Sequence, residues 1–513
     1  MTHHPDKLRR VAKGLRKAFE AGDPAAIARV RAVLPKAQTL RHTDALHVIA
    51  REEGFASWPR LKFAAEALNM DRAAKAARLD TALYFGQHWV VQMLLADVPD
   101  LGRDDLGLAC ALYDIDQVHA VLARDRTAAE RPVRGRRPIL HLAFSQHLHG
   151  GGDPDAMLLV ADALLAAGAD VNDSYAYQGD PASPLSALYG AVGHADNMAL
   201  AQWLLTHGAD PNDNESLYHS TELGHRDGLR LLLAHGARPE GTNALPRALD
   251  FNDHEAVRLL LGAGADPNEG IVQHPSGEPP FVIPALHQAA RRMCDATMAG
   301  LLLDAGADPS AQYRGVTPYA LARVFGNGAV ADRIAAAGGD TRLTPDETLL
   351  AAAAEDRLPP GARLAEDGLP DVYRVLPREL LHLPGKFPHI QRLIELGLDP
   401  DLTDQMGLPP VQIAGWEGLP EQLSFFLSLQ PNLKHINEYG GDLLSTVIHG
   451  SENCPARNDP SEHRDHVACA RLALDAGVPL PRRVIDFAGD EGMAAFLADW
   501  AQAHPEQVTD PTP

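Results

Sequence analysis

The sequence predicts an all-α protein: a solenoid of stacked helix pairs with variable connectors, preceded by a small helical N-terminal module. Three observations carry that expectation. First, a nine-residue phrase recurs: LLAAGADVN from Leu164, LLTHGADPN from Leu204, LLAHGARPE from Leu232, LLGAGADPN from Leu260 and LLDAGADPS from Leu302, with a weaker LIELGLDPD from Leu393. Such repetition marks arrays in which each unit buries its apolar face against the next. Second, the distance from helix opener to closing glycine is nearly constant, at 21 residues for 215–236, 243–264 and 317–338 and 22 for 284–306. The connectors instead run 7 residues for 208–215 and 236–243, 11 for 306–317 and 20 for 264–284. Third, only 5% of the 513 residues are aromatic while 45% are hydrophobic. Ala and Leu fill thin helical layers, and 513 residues exceed what one spherical core holds.

The first element is a basic module over residues 1–69, with 13 Lys/Arg and 7 Asp/Glu. Leu8, Val11, Leu15 and Phe19 form an apolar stripe at helical spacing beside Lys7, Arg9, Arg10, Lys13, Arg16 and Lys17. Asp23-Pro24 opens a second helix through Val30 and Leu34. Thr43 opens a third, with Leu46, Ile49 and Ala50 on one face and Gly54 at its end; Ser57 caps a fourth through Leu61 and Ala65. The basic face reads as a solvated surface or as a dock onto acidic residues of a partner or of this chain, a contact that high salt weakens.

The array follows over 72–503, as about ten or eleven repeats best defined over 138–340, and 504–513 is expected to be a disordered tail. Each helix pair opens with a phrase such as Ser183-Pro184-Leu185 or Thr317-Pro318-Tyr319. A hydroxyl there accepts from free amides of the first turn, where Pro is tolerated. Each pair closes with leucines and then a glycine suited to the left-handed helix end. Asp-Pro or Asp-Val leads onward. Leu286-His287-Gln288-Ala289-Ala290, Gly224-His225 and Leu231-Leu232-Leu233 running into Gly236-Ala237 together resemble the ankyrin repeat. Pro409-Pro410-Val411 through Gly418 keeps the spacing although Gln430 replaces the closing glycine, and Ala473 to Gly477 closes a later copy. Leu83–Leu95 and Leu108–Leu122 read as degenerate pairs. The stretch from Asp44 to Lys62 resembles an N-terminal segment of bacterial ankyrin-repeat proteins, which implies a bacterial source and no established chemistry.

Composition excludes several classes. The net charge of −22, which becomes −28 once residues 1–69 are set aside, disfavours nucleic acid as the main partner. No apolar run reaches the ~18 residues of a membrane span. Met1-Thr2-His3-His4-Pro5 opens without an apolar signal core, and four scattered cysteines make no disulfide framework, so a cytoplasmic protein is expected. His225-Arg226-Asp227 and His463-Arg464-Asp465 lack the phosphate loop and downstream residues of a kinase. His254-Glu255 lacks a second zinc-binding His, and Gly150-Gly151-Gly152 follows no strand. Cys454, His463, His466 and Cys469 are zinc-compatible donors in an insertion that lengthens its repeat by 14 residues. Their spacing matches no standard finger, and no metal, other cofactor or enzymatic activity is expected.

The ankyrin resemblance implies a protein-binding scaffold or inhibitor that grips its partner through connectors and the exposed side of the first helices. The acidic array favours a basic protein partner; a small-molecule ligand is not expected. Positions seven and eight after each opener carry Asp250 and Phe251, Arg291 and Arg292, Val324 and Phe325, and Trp416 and Glu417, while connectors add Tyr175, Tyr177, Phe281, Tyr313 and Tyr439. The candidate partner-binding set is Phe251, Phe281, Arg291, Arg292, Tyr313, Phe325, Trp416, Glu417 and Tyr439, since aromatics and Arg supply most binding anchors. The competing readings are a metal-dependent hydrolase centred on 449–469 and nucleic-acid binding through residues 1–69.

Overall fold

The protein is seen in a computed structural model that describes residues 5–40, 42–179, 183–270, 283–365, 368–404, 406–454, 464–488 and 490–509. The phrase that repeats in the sequence becomes a repeated helix ending. Leu164, Leu204, Leu232, Leu260, Leu302 and Leu393, the first leucine of each copy, have no exposed surface. Four residues further on, Gly168, Gly208, Gly236, Gly264, Gly306 and Gly397 all take φ between 91° and 108°. In that left-handed state the amide of the next residue turns back to the buried leucine's carbonyl, as Ala169 does to Leu164 at 3.0 Å. Gln430 stands where the pattern lacks glycine and takes φ 59° all the same, a backbone state that costs a residue with a side chain more than it costs glycine.

Only some openers work as their chemistry predicts: at Ser183-Pro184 the chain is still a strand, Pro184–Ser186, and Ser186 caps the helix instead, accepting from the Tyr189 amide at 2.9 Å. Thr317 accepts from the Ala320 amide ahead of helix Pro318–Phe325. Thr344 and Glu347 form a reciprocal capping box at Pro345–Ala354.

The fold is all-α, built from helix pairs of the ankyrin type. The only paired strands among the described residues are Ser174–Ala176 with Pro184–Ser186, antiparallel, and Leu480–Pro481 with Val508–Thr509, parallel. Val508–Thr509 of the latter pair and the 3-10 turn Pro505–Gln507 lie in the expected tail.

Two compact units divide the chain. One comprises Met1–Val11, Ile49–Gln288 and Asp304–Ala307. Its first helices stack in order: Arg72–Tyr84 on Leu106–Ala111, that on Pro138–Ala143, then Ala187–Tyr189, Ser216–His219 and Ala244–Asp250. Its second helices do the same, Ile115–Arg124 on Pro154–Ala167, then Met198–Thr206 and Asp227–Ala234.

The connectors of this unit are also fastened. Asn172 donates its side-chain amide to the Gly208 carbonyl at 3.1 Å and accepts from the Asp210 amide at 2.7 Å. Asn212 accepts from Arg238 at 2.9 Å, and Asn268 donates to Gly306 at 2.9 Å. The Asp-x-Asn of the repeated phrase is thus a rung between consecutive repeats.

The other unit comprises Ala12–Val48, Ala289–Leu303 and Asp308–Pro513. Pro318–Phe325 packs on Pro345–Ala354, and Leu376–Glu379 on Pro410–Trp416, which packs on Leu443–Asn453. Behind them Pro420–Ser428 packs on His466–Asp475, and that helix on Glu491–Ala503. Asp340 bonds to Ser310 and Asn432 to Asp401, both at 3.0 Å, in the manner of the rungs above.

The basic N-terminal helix also finds a carboxylate here. Arg16 pairs with Asp499 of Glu491–Ala503 at 2.6 Å. On that helix Leu8, Ala12 and Leu15 are buried, whereas Val11, expected on the apolar stripe, is 41% exposed. The buried spacing of 4 and 3 residues places Ala12, not Val11, on the inner face.

Candidate functional site

The residues expected to meet a partner separate into exposed and buried sets. In the first unit, helix Ala244–Asp250 ends one residue before Phe251, which caps it and is 52% exposed. Arg247, one turn earlier on that helix, lies 4.9 Å from the Phe251 ring and 5.7 Å from that of Tyr218. Its guanidinium is fixed by Glu222 at 2.6 Å and Asp250 at 2.8 Å. Next to it, His219 sits between Glu222 at 2.7 Å and Glu215 at 3.2 Å. Burial opposes charge on this imidazole, but the two carboxylates outweigh it and raise its pKa to about 9. Phe251 therefore projects from a rigid charged base.

The same reasoning fails at Phe325. Helix Pro318–Phe325 runs eight residues, so position eight is still helical and turns inward; Phe325 is 1% and Val324 0% exposed. Phe325 is a core side chain. Tyr313 is 8% exposed and held by a backbone bridge to Val316, so it too is largely internal. Phe281 lies outside the described residues.

In the second unit the remaining candidates converge. Arg291 pairs with Glu379 at 2.6 Å; Arg378 bridges Glu379 at 2.6 Å and Asp404 at 2.5 Å. Burial would raise the Glu379 pKa, yet Arg291, Arg378, His382 and Arg292 bring it down to about 2. Glu417, expected at a partner surface, is only 4% exposed. It accepts from His382 Nδ1 and from Arg464, both at 2.7 Å, and from the Cys454 thiol at 3.4 Å. Glu417 is a buried keystone, since its removal would strand two nitrogen donors.

Above this floor opens a cleft of about 700 Å³ lined by Arg378, His382, Ile413, Trp416, Tyr439 and His449 with neighbouring loop residues. Trp416, half-buried, contacts the His449 ring at 5.2 Å, and Tyr439 stands at the rim, 73% exposed. The wall carrying Tyr439 is pinned by buried Asn437. Its oxygen accepts from the Tyr439 and Gly441 amides at 3.0 Å, and its nitrogen donates to Gln412 at 2.9 Å.

The apparent catalytic motifs serve the fold. His225 bonds to Asp196 at 2.9 Å and Arg226 to Asp253 at 2.5 Å, fixing a turn. In the insertion, His466 donates to the Trp416 carbonyl at 2.9 Å, and Cys469 is fully buried. Burial pushes the Cys454 thiol up to about 11, with Glu417 adding to it, and pushes the Cys469 thiol to about 12, which keeps both protonated. His463 lies outside the described residues. Among the described residues no three His, Cys, Asp or Glu side chains gather to hold a metal.

Comparison with known proteins bears on this architecture. Residues 187–270 match the family model for ankyrin repeats, in three copies. Those residues are ankyrin repeats. The search of curated proteins gave no match. Among solved structures, the chain is similar to the ankyrin-repeat domain of human ASB11, at 17% identity and a TM-score of 0.24, over 50% of this chain and 96% of that one. It is also similar to the ankyrin-repeat domain of Bcl-3, a member of the IkappaB protein family, at 21% identity and TM-score 0.34, over 46% and 99% of the two chains. A third, an ankyrin-repeat domain from Acinetobacter baumannii, has 22% identity and TM-score 0.29, over 46% and 98%.

Of the residues named from sequence as contact candidates, Phe251 and Tyr439 are exposed and Trp416 and Tyr439 line the cleft, whereas the cleft residues Arg378, His382, Asn437 and His449 were not among the candidates. The first two lie in a stretch after 340 where the repeated phrase is absent. There Pro345–Ala354 leads into described chain without helix, 357–365 and 368–370, before the next helix. Asn437 carried one local signal, the Asn-x-x-Gly-Gly of a turn.

Proposed function

We propose that this chain is a protein–protein interaction scaffold or inhibitor, not an enzyme, that engages a partner protein through exposed aromatic side chains on rigidly held helix ends and connectors. The supporting observation is that Phe251 and Tyr439 are 52% and 73% exposed while the groups beneath them are locked by ion pairs and hydrogen bonds. Exposed rings on a preorganised base cost little entropy to bury, which is what binding anchors require. Net charge of −22 favours a basic partner, because opposite charge speeds encounter and suppresses wrong pairings. A cytoplasmic and bacterial setting accompanies this reading. None of the four cysteines is in a disulfide; among the described residues no helix is long and apolar enough to cross a membrane.

The test is affinity capture from the native host with the full chain and with Phe251→Ser and Tyr439→Ser, followed by mass spectrometry. A defined, predominantly basic protein should be retained by the unaltered chain and fall about tenfold in at least one variant, with melting temperatures unchanged. Recovery that is the same for all three chains would overturn the proposal.

A further inference from the structure

The cleft of the second unit is a built cavity, and its lining states what it can hold. At about 700 Å³ it falls inside the ~300–1,000 Å³ range of ligand pockets. Its charges are already matched: Arg378 is taken by Glu379 and Asp404, and Glu417 beneath His382 is taken by Arg464. A charged group entering would bring an uncompensated charge into partly desolvated surroundings, which is costly. The occupant is therefore neutral.

Two further observations narrow it. His382 lies against the Glu417 carboxylate through Nδ1, which therefore carries the proton. Its other nitrogen, Nε2, is then a lone-pair acceptor with no hydrogen-bond partner among the described residues, on a side chain that lines the cleft. Trp416, His449 and Tyr439 supply aromatic surface to the same cleft, with Leu408 and Ile413 as apolar wall. Gly440, at φ 77°, and Gly441 keep one side free of bulk, and Asn437 holds that side in place. The complement is a neutral planar ring bearing one N–H or O–H donor.

We infer that the cleft receives a tyrosine or tryptophan side chain of the partner protein, its ring against Trp416 and Tyr439 and its donor on His382 Nε2. This rests on the scaffold reading and deepens it. The cleft opens beside exposed Tyr439, on the surface already assigned to partner contact, so a ring carried on a loop has direct entry.

Isothermal titration of the full chain with N-acetyl-tyrosinamide, N-acetyl-tryptophanamide and N-acetyl-phenylalaninamide tests the inference. The first two should bind with dissociation constants on the order of 1 mM. The third, which lacks the donor, should bind at least about tenfold more weakly. Trp416→Ala and Tyr439→Ala should each weaken tyrosinamide binding about tenfold; Tyr439, being exposed, leaves folding intact if Trp416→Ala does not. Equal binding of the tyrosine and phenylalanine amides would overturn the donor assignment. Unchanged binding in both variants would overturn the location. Free indole or adenine binding about tenfold more tightly than either amide would overturn the assignment to a protein side chain. Failure of every amide to bind would sink this inference alone, because capture that still depends on Phe251 or Tyr439 would leave the scaffold reading standing.

Discussion

At the scale of single residues, charge and exposure set apart positions that the sequence grouped together. His219 has a folded pKa of about 9 against an ordinary 6.5, so its contribution is complete below about pH 6.5 and is lost as pH rises through about 9. Melting temperature should therefore fall over that window, and His219→Asn, which cannot be protonated there, should flatten this part of the curve. Glu417 and Tyr439, both chosen from sequence as contact residues, should behave in opposite ways on mutation. Glu417→Ala strands His382 and Arg464 and should cost about 3–5 kcal/mol, whereas Tyr439→Ala should stay within ~0.5 kcal/mol; urea unfolding of the two variants measures both. Spacing from an opener could not foretell burial: Phe251 and Glu417 both follow a seven-residue helix, yet the first is 52% and the second 4% exposed. Partners of buried charge, such as Arg464 for Glu417, are distant in sequence and leave no local trace.

At the scale of the element, helix ends were the most legible feature. A glycine after a leucine pair specifies a left-handed turn through sterics alone, and each such glycine takes it. Gln430 was recognisable as the same position by spacing. Because it holds φ 59° with a side chain attached, Gln430→Gly should stabilise the protein by about 1 kcal/mol, read as a rise in denaturation midpoint. The Asp-x-Asn rung was visible as a repeated phrase but not as a contact, since nothing in one copy says that its Asn reaches the next. Asn172→Ala removes two bonds to the following repeat and should cost about 1 kcal/mol, the usual net value where water replaces part of the loss.

At the scale of the whole molecule, the all-α repeat architecture followed from the constancy of helix-pair length, which stacking demands and loops do not. Where that constancy lapses, after 340, the sequence was silent about the helices that floor the cleft. The leucines that recur are the joints of the stack: Leu232→Ala and Leu260→Ala should each cost about 2–5 kcal/mol in equilibrium unfolding, since each is fully buried. The rungs have a consequence for how such a chain changes over generations. Most copies carry a short polar side chain at the rung position, Asn172, Asn212, Asn268, Ser310 or Asp401, so a copy duplicated or deleted whole brings a fitting half-joint to most new junctions. A gene of this kind can lengthen or shorten one copy at a time, and selection is left to work on the rims.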